Sequence, residues 1–577
     1  MASSGRYQMG RNANRSSQGS GYAHRGGTEI APWRIKVIFV VFAAVALACL
    51  GRLIYLQIIV SDEYTADAVD SRTVSIETTP RRGTIYDRNG VVLACSVDAT
   101  TVYVNPKEVT DVKGEAAIIA ATLGGKVEDY QEILMTEDTT FAYVKRQADK
   151  DAAQELKEYE LDGIYFIADT RREYPCGEVA GQIVGFCGLD GEGLTGLELY
   201  YNDILKGSAG QTQTQYGLDG TPIPNAETTG TESSDGTDIM ISIDVEMQAY
   251  AEEMLKKYAE IWGVNTDMLL MDAGTGEIIA AASLPLFNPA DPSDCETEST
   301  TVTSLTGSYE PGSIFKTVSA MSLLTHKAMG IEDEIDCPSY IEADGYQISD
   351  AHARDDVTYT LREIIQYSSN VGISLSVEKM GFGTFYYDIV NWDLNSLTGV
   401  DYPGEPEGYL LDFDYWSKIQ AYNITFGQGI SVTPLQMVRF YGALVNEGVE
   451  VTPHFLIAKP ETGETLEYES KQIIDDEQAI EDMTSMLESV VTDGTAKTAA
   501  IDGYTVVGKT GTAEVASDDG GYKTGVYDIS FTGFLAHSSS KLVCFTGSIE
   551  LPADGTTTAM FKDIMSYAID RYKIAAD

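Results

Sequence analysis

The chain contains 577 residues, more than one compact domain usually holds, so at least two globular domains are expected. Its 39 lysines and arginines are outnumbered by 88 aspartates and glutamates, which gives a formal net charge of −49. A surface this acidic repels nucleic-acid phosphates and argues against a polynucleotide partner; such acidity is typical of a solubility adaptation or a salty habitat.

Residues 1–33 are rich in Gly, Ser, Asn and Arg and lack apolar clusters, which predicts a disordered tail. Residues 34–58 are predicted to form a transmembrane anchor, because about 20 apolar residues span ~30 Å of hydrocarbon. The basic residues that precede this run predict a single-pass protein of the plasma membrane with a cytoplasmic N-terminus and an extracytoplasmic bulk. A cleaved signal peptide is the alternative, but the apolar character continues past any Ala-x-Ala site.

The next segment begins with GTIYDRNGVVLA, which predicts two short strands joined at Asn89-Gly90. Residues 95–210 mix strands with polar helices and indicate a spacer or interaction module. Residues 218–238 are rich in Gly, Thr, Ser and Asp and predict an exposed linker or hairpin. Beyond them come a strand (IMISID), an amphipathic helix and a hairpin turning at Gly274–Gly276, with hairpin strands again near the end. This order predicts a sheet whose first and last strands are neighbours.

The seven cysteines show no Cys-x-x-Cys spacing. Cys176 and Cys187 could pair, with burial as small apolar side chains as the alternative. The five histidines include no His-Glu-x-x-His motif, so we expect neither a metal nor a cofactor.

The stretch SYEPGSIFKT places Ser313 three residues before Lys316, after a Pro-Gly break and at the start of an apolar run. Residues i and i+3 share one face of a helix, and an apolar run predicts that the helix is buried. Burial lowers a lysine pKa, so Lys316 could accept the serine proton. Ser-x-x-Lys alone is a weak signal, because Ser538 and Lys541 form a second copy.

Two further motifs make the signal specific. QYSSNVG offers Ser368 and Asn370 after a predicted helix, and TVVGKTGTAE offers Lys509-Thr510-Gly511 on an apolar strand. A cation, a hydroxyl and a glycine at a strand edge suit an extended peptide that ends in a carboxylate. The triplet repeats at residues 523–525, but there it follows DDGGY and predicts a solvated hairpin loop.

With the order Ser313, Ser368, Lys509, the chain resembles the class B penicillin-binding proteins, the monofunctional peptidoglycan D,D-transpeptidases. The resemblance covers roughly residues 33–570. It extends to RRGTIYDRNGVVLA, RREYPCGEVAGQIVGFCG and GLTGLE in the first half, and to SSNVG, FGQGISVTPLQ, GKTGTAE and SFTGF in the second. The YEPGS stretch favours the division-type and sporulation-type branch. The Asn-Arg pair that many relatives carry before it is replaced by ESTTVTSLTG.

The resemblance implies a mixed α+β fold. It combines a single transmembrane helix, an elongated, mostly β pedestal of the dimerisation type over residues 59–225, and a transpeptidase domain over residues 237–577. That domain is expected to resemble β-lactamases, with a five-stranded antiparallel sheet flanked by helices.

The resemblance also implies a role for each matching residue. Ser313 would attack the penultimate D-Ala carbonyl of a stem peptide and hold the acyl group as an ester, with release of D-Ala. Lys316 would be the general base, and Ser368 would carry the proton toward the leaving amine, oriented by Asn370. Lys509 would give electrostatic support, and Thr510, Gly511 and Thr512 would bind the substrate. The backbone N–H groups of Ser313 and Thr512 would form an oxyanion hole.

Stem peptides ending in D-Ala-D-Ala and β-lactam antibiotics are therefore the expected ligands. The implied partners are a SEDS-type glycosyltransferase and membrane proteins of the division machinery, most consistent with septal wall synthesis; elongation-type and sporulation-type enzymes of the same class are the alternatives. A β-lactamase, a β-lactam sensor and a silent scaffold are remote alternatives. The sequence offers no base for the deacylation that a β-lactamase needs and no metalloprotease half of the kind that a sensor has. A silent scaffold is disfavoured because all three motifs are intact.

Overall fold

The computed structural model describes residues 32–60, 73–78, 80–215, 229–516, 522–551 and 555–576. By internal contacts the chain divides into two units, residues 1–76 with 212–230 and residues 77–211 with 231–577. The predicted disordered tail lies almost entirely outside the described residues, as does most of the predicted linker at 218–238.

The first described element is a long apolar helix, α1 (Pro32–Ile54), which continues as a π-helical turn at Tyr55–Ile59. Trp33–Ile59 is long enough to cross a membrane, and an 18-residue window within it has a mean hydropathy of 2.6. This span brackets the anchor predicted at residues 34–58. Its side chains are exposed along nearly the whole length, as an anchor without its lipid would be.

The described residues between 73 and 241 contain eight strands and six helices. The strands are β1 (Thr73–Thr78), β2 (Ile85–Tyr86), β3 (Val92–Val104), β4 (Ala142–Asp149), β5 (Ile164–Glu173), β6 (Gly210–Gln215), β7 (Thr229–Thr231) and β8 (Ile239–Ile241). The helices are α2 (Val112–Leu123), α3 (Val127–Leu134), α4 (Lys150–Glu158), α5 (Gly181–Val184), α6 (Gly196–Tyr200) and α7 (Asn202–Leu205). Strands β1, β6 and β7 form one small sheet, in the order β1-β6-β7.

The predicted hairpin at Asn89-Gly90 is confirmed, because Ile85 pairs with Ala94 across it. Strand β3 then continues for 13 residues and pairs antiparallel with both β4 and β5. Helices α2, α3 and α4 pack on this end and enclose a small core of their own, centred on Val102 and Ile119. Cys176 and Cys187 are free thiols and do not form the pair that the sequence left open.

Three stretches noted in the sequence meet at one buried carboxylate, Glu198. Its two oxygens accept from Arg82 Nε at 2.6 Å and from Arg172 Nε at 2.7 Å. Burial opposes ionisation of Glu198, but the two arginines outweigh burial and hold its pKa below the usual value. RRGTIYDR, RREYP and GLTGLE therefore serve a common purpose, since each supplies one member of this ion triad.

The part of the remaining chain that the structure describes contains thirteen strands and ten α-helices. The strands are β9 (Thr266–Asp272), β10 (Ile278–Ser283), β11 (Glu334–Cys337), β12 (Tyr340–Ala343), β13 (Tyr346–Ser349), β14 (Val357–Thr360), β15 (Val449–Val451), β16 (Leu456–Lys459), β17 (Glu464–Thr465), β18 (Ser470–Gln472), β19 (Thr505–Ala516), β20 (Tyr522–Ala536) and β21 (Leu542–Leu551). The helices are α8 (Val245–Trp262), α9 (Thr303–Thr306), α10 (Lys316–Thr325), α11 (Leu361–Gln366), α12 (Asn370–Met380), α13 (Phe382–Asn391), α14 (Lys418–Thr425), α15 (Pro434–Val445), α16 (Glu477–Thr492) and α17 (Thr558–Tyr572).

The central sheet has five antiparallel strands in the order β10-β9-β21-β20-β19. In this sheet β9 is the first strand along the chain and β21 is the last. The prediction that first and last strands are neighbours is confirmed, since Leu269 of β9 pairs with Phe545 of β21. Helices cover both faces: Phe531 of β20 packs against Phe561 of α17, while Ser530 and Pro434 of α15 line a common cavity on the other face. Strand β19 is an edge strand of this sheet.

Strand β8, predicted from IMISID, does not join the five-stranded sheet. It pairs parallel with β2 and antiparallel with β16, in a sheet of order β17-β16-β8-β2-β3-β4, where β5 also pairs with β3. Asp401 joins the two regions as well, accepting from Phe455 N at 2.6 Å and from the Tyr201 hydroxyl. Within the second unit, the part up to residue 241 and the part after it therefore share a sheet and are also joined through the buried Asp401.

We expect Glu198→Ala to lower the free energy of unfolding by about 3–5 kcal/mol, because two buried guanidinium groups would lose their partner. Asp98→Ala is the matched control, since Asp98 also pairs with two cations, Arg81 and Lys150, but at the surface. Urea unfolding of both variants tests this; equal losses would show that burial of the triad is energetically unimportant.

Candidate active site

Ser313 follows a loop that is anchored by its backbone and by one carboxylate. Tyr309 exchanges two backbone hydrogen bonds with Val432, both 3.0 Å long. The Glu310 carboxylate accepts the N–H of Gly429 at 2.9 Å. The loop before the serine is thus fixed to the FGQGISV stretch more than 100 residues later.

Ser313 itself lies in a 3-10 turn, Gly312–Phe315, which leads directly into α10. Gly312 has a φ of +55° and donates its N–H to Gly427 O at 3.0 Å. A Cβ at Gly312 would stand 2.7 Å from the carbonyl oxygen of Thr512, so only glycine fits here. The serine is therefore held against strand β19.

Lys316 begins α10, and its side chain is 0% exposed. The predicted burial of this helix is confirmed, because every residue from Lys316 to Leu324 is buried. The hydrogen bonds of Lys316 Nζ all run to the turn after α11: to Ser368 O at 2.6 Å, Ser368 Oγ at 3.1 Å and Asn370 Oδ1 at 2.7 Å.

Ser368 stands between two lysines. Lys509 Nζ donates to Ser368 Oγ at 3.0 Å, the same atom that Lys316 reaches from the other side. Ser368 has a φ of +62°, a left-handed conformation that is uncommon for a residue with a side chain. Ser368 lies in the connection between α11 and α12, and Asn370 is the first residue of α12.

Both lysines have lowered pKa values. Burial lowers the pKa of Lys316 well below its usual value, the charge of Lys509 lowers it further, and Asp350 opposes the shift. Burial lowers the pKa of Lys509 to about 7. A neutral lysine has two N–H groups for the carbonyl oxygens of Ser368 and Asn370, which leaves its lone pair for a hydroxyl proton.

Strand β19 brings Lys509 and Gly511 to the face that meets the nucleophile loop. A Cβ at Gly511 would lie 2.3 Å from Ser530 Oγ and 3.0 Å from Pro311 O, which explains the glycine. Because side chains alternate along a strand, Thr510 and Thr512 project to the other side. Thr512 is exposed, and Thr510 Oγ1 lies 2.9 Å from Thr495 Oγ1.

The two duplicate motifs lie apart from this cluster. Ser538 Oγ accepts from Ser540 N at 3.1 Å, and Lys541 Nζ donates to Asn446 Oδ1 at 2.7 Å, so neither contacts the other. The second Lys-Thr-Gly was predicted to lie in a hairpin loop. That prediction is wrong, since residues 523–525 belong to strand β20, where exposed Lys523 pairs with Glu550.

Sequence reasoning missed the residues that hold the nucleophile loop. Glu310 was interpreted only as a sign of one branch of the family, and Gly427 and Gly429 only as part of a stretch that matches the family. Both glycines have positive φ, of +80° and +69°. Two glycines within FGQG were the available signal, because such spacing is typical of a tight, strained loop.

Two family models match the chain. The penicillin binding protein transpeptidase domain matches residues 268–566, and the penicillin-binding protein dimerisation domain matches residues 77–241.

Curated relatives match along most of the chain. Stage V sporulation protein D of Bacillus subtilis strain 168 is 31% identical over 537 residues, covering 89% of this chain and 81% of that protein. Peptidoglycan D,D-transpeptidase FtsI of Escherichia coli K12 is 28% identical over 536 residues, covering 91% and 88%.

Solved structures share the fold. Penicillin binding protein 3 of Mycobacterium tuberculosis, complexed with aztreonam, superimposes with a TM-score of 0.68 at 24% identity, covering 87% of this chain and 98% of that one. Penicillin Binding Protein 2X of Streptococcus thermophilus gives a TM-score of 0.72 at 23% identity, covering 86% and 80%.

We expect Lys509→Met to stabilise the protein, most strongly below pH 7. The pKa of Lys509 is about 7 in the folded chain and ~10.4 unfolded, so the unfolded state binds more protons between these values. The cost of burying the charge is therefore full below pH 7 and fades as pH rises toward ~10. Thermal unfolding of wild type and variant from pH 5.5 to 10 measures the difference.

Lys523→Met is the matched control, since this lysine lies in the duplicate motif with an exposed side chain. Its difference from wild type should stay small and flat across the pH range. A Lys509→Met variant that is less stable than wild type at pH 6 would contradict the predicted burial cost.

Proposed function

The chain belongs to the class B penicillin-binding proteins, and from this premise we propose that it is a membrane-anchored peptidoglycan D,D-transpeptidase with Ser313 as its nucleophile. Its overall reaction is the family's: a stem peptide ending in D-Ala-D-Ala is transferred to an amine of a second strand with loss of the terminal D-Ala. β-Lactams imitate that ending and acylate the same serine.

One observation supports the residue roles most directly, the convergence of Lys316 and Lys509 on Ser368 Oγ beside the nucleophile turn. A neutral amine, a hydroxyl and a second amine in a row form a path along which a proton can move between the serine and a leaving group. The three side chains come from separate segments of the chain, so their meeting is not a consequence of local sequence.

In the proposed acylation, Ser313 Oγ attacks the carbonyl carbon of the penultimate D-Ala and Lys316 Nζ takes its proton. The tetrahedral intermediate collapses when the C–N bond to the terminal D-Ala breaks. Ser368 Oγ donates its proton to that departing amine and takes the proton held by Lys316. The products are an ester on Ser313 and free D-Ala, with the lysine neutral again.

Transfer reverses these roles. The acceptor amine attacks the ester carbonyl and gives up a proton to Lys316 through Ser368. The ester C–O bond then breaks, the proton returns to Ser313 Oγ, and an amide cross-link has formed. Asn370 keeps Lys316 oriented in both halves through its side-chain oxygen.

Substrate binding is proposed along the open edge of β19. An extended peptide can add to an edge strand through its backbone, which would place it alongside Gly511. The hydroxyls of Thr510 and Thr512 would bind the terminal carboxylate, and the buried Lys509 would give electrostatic support. The backbone N–H groups of Ser313 and Thr512 would form the oxyanion hole, which the close packing of Gly312 on Thr512 supports.

We place the enzyme in the plasma membrane, with residues 34–58 as its anchor, the tail of residues 1–33 in the cytoplasm, and the pedestal (59–225) and transpeptidase domain (237–577) outside. The long apolar helix and the basic residues before it support this orientation. Septal wall synthesis, with a SEDS-type glycosyltransferase and division proteins as partners, is the proposed setting. The sporulation name of one relative keeps a sporulation role as the alternative.

We expect the detergent-solubilised full-length chain to form a covalent adduct with fluorescent penicillin, and Ser313→Ala to abolish it. The reason is that the drug can acylate only the activated hydroxyl. Labelling is followed by gel fluorescence and the site by mass spectrometry of the labelled peptide.

Ser538→Ala is the control, because it removes the serine of the duplicate Ser-x-x-Lys and should label like wild type. Persistence of the adduct over hours separates a transpeptidase from a β-lactamase, which would release it quickly. Full labelling of a folded Ser313→Ala variant would refute the assignment of the nucleophile.

A further inference from the structure

The turn that carries Ser368 is held by a carboxylate that the reaction does not use. Asp350 follows strand β13, and its oxygens accept from Ser369 Oγ at 2.9 and 3.0 Å and from Val371 N at 3.0 Å. Arg354 Nε donates to the same carboxylate at 2.6 Å. The side chains of Asp350 and Arg354 are only 11% and 16% exposed.

Along the chain, Ser369 and Val371 alternate with Ser368 and Asn370. Ser369 is buried and caps α12 by accepting the Gly372 N–H at 3.0 Å, so Asp350 fixes the capping residue itself. The preceding residue, Ser349, accepts Asn370 Nδ2 at 3.0 Å. Two consecutive residues of one strand end therefore set both the path of the turn and the orientation of the Asn370 amide.

We propose that Asp350, paired with Arg354, is a positioning residue of the transpeptidase reaction, which holds Ser368 and Asn370 in place and sets the electrostatic field at Lys316. The proposal deepens the function proposed above and rests on the roles given there to Lys316 and Ser368.

The positioning part follows from backbone strain. A left-handed conformation at a non-glycine residue is strained and persists only where its surroundings impose it. Asp350 imposes it by binding the residues on the far side of Ser368. Its negative charge also lies at the N-terminus of α12, an 11-residue helix whose dipole favours an anion there.

The electrostatic part follows from the charges around Lys316. Besides burial, Lys509 from β19 lowers the pKa of Lys316 and Asp350 raises it, and Arg354 pairs with that aspartate. Asp388 of α13 pairs with His326 at the other end of α10. The face of α16 toward the core is apolar, with Met483 and Leu487 fully buried.

Asp350→Asn keeps the shape of the side chain and removes its charge. We expect the second-order rate constant for penicillin acylation to fall roughly ten- to hundredfold, because the turn is less firmly held. We also expect the acid limb of its pH profile to move to lower pH. The sign follows because a nearby anion stabilises the charged lysine, so its removal lets Lys316 lose its proton at a lower pH.

For Arg354→Gln we expect the acid limb of the pH profile to move in the opposite direction. Without the guanidinium, the Asp350 charge acts on Lys316 with less compensation, so the limb should move to higher pH. This second variant also keeps the proposal testable if Asp350→Asn folds poorly. Asp350→Glu, which retains the charge, should leave the limb where wild type has it.

Asp356→Asn is the matched control. Asp356 is exposed in the same segment and accepts the Ser339 N–H at 2.8 Å, but it makes no contact with the Ser368 turn. It should acylate like wild type at every pH. All variants are compared as full-length protein in detergent, with melting temperature measured in parallel.

Opposite shifts of the acid limb in Asp350→Asn and Arg354→Gln would support the proposal. A folded Asp350→Asn variant with a slower rate but an unmoved limb would reduce Asp350 to a structural role and overturn it, as would an unchanged rate. Failure of the proposed function is distinguishable, because wild type would then not label at Ser313 at all.

Discussion

Two buried amino groups that share one serine hydroxyl are the constraint on which this molecule depends. Neither Lys316 nor Lys509 is exposed, and both hydrogen bond to Ser368 Oγ. Burial and mutual repulsion make the doubly charged state unfavourable, so this pair is readily deprotonated. Burying two lysines destabilises the fold, so contacts made elsewhere must offset this cost.

Those contacts are largely long-range and acidic. Asp350 fixes the Ser368 turn, Glu310 fixes the loop before Ser313, and Glu198 and Asp401 join segments further away. Each carboxylate accepts hydrogen bonds from two or more groups, or binds a loop separated from it by many residues. A chain of high net negative charge therefore uses some of its acids inside, as fixed acceptors, besides those that solubilise the surface.

The sequence predicted those features that short stretches encode. The buried helix after Ser313, the hairpin at Asn89-Gly90 and the β9–β21 neighbours follow from apolar periodicity and turn residues. The position of β8 did not, since its partners β2 and β16 lie about 150 and 215 residues away in either direction. The left-handed Ser368 and the role of Asp350 were also out of reach, because both depend on residues that meet only in the folded chain. Lys523-Thr524-Gly525 was misplaced because the glycine-rich DDGGY before it suggested a turn, whereas β20 begins at Tyr522 and includes the triplet.

The shared sheet has a consequence for how the two regions work together. A boundary at residue 237 leaves β8 on the C-terminal side, yet β8 is parallel to β2 of the pedestal and buried between the two regions. Separating the pedestal from the transpeptidase domain at residue 237 would expose Ile239 and Ile241 and leave the edge of β2 that faces β8 unpaired. The Tyr201–Asp401 bond crosses the same junction, and Asp401 also accepts the N–H of Leu456, the first residue of β16. A displacement of the pedestal would therefore act first on β16 and β8, and through Ser242, whose hydroxyl binds Ile278 O of β10, on the central sheet that carries Lys509.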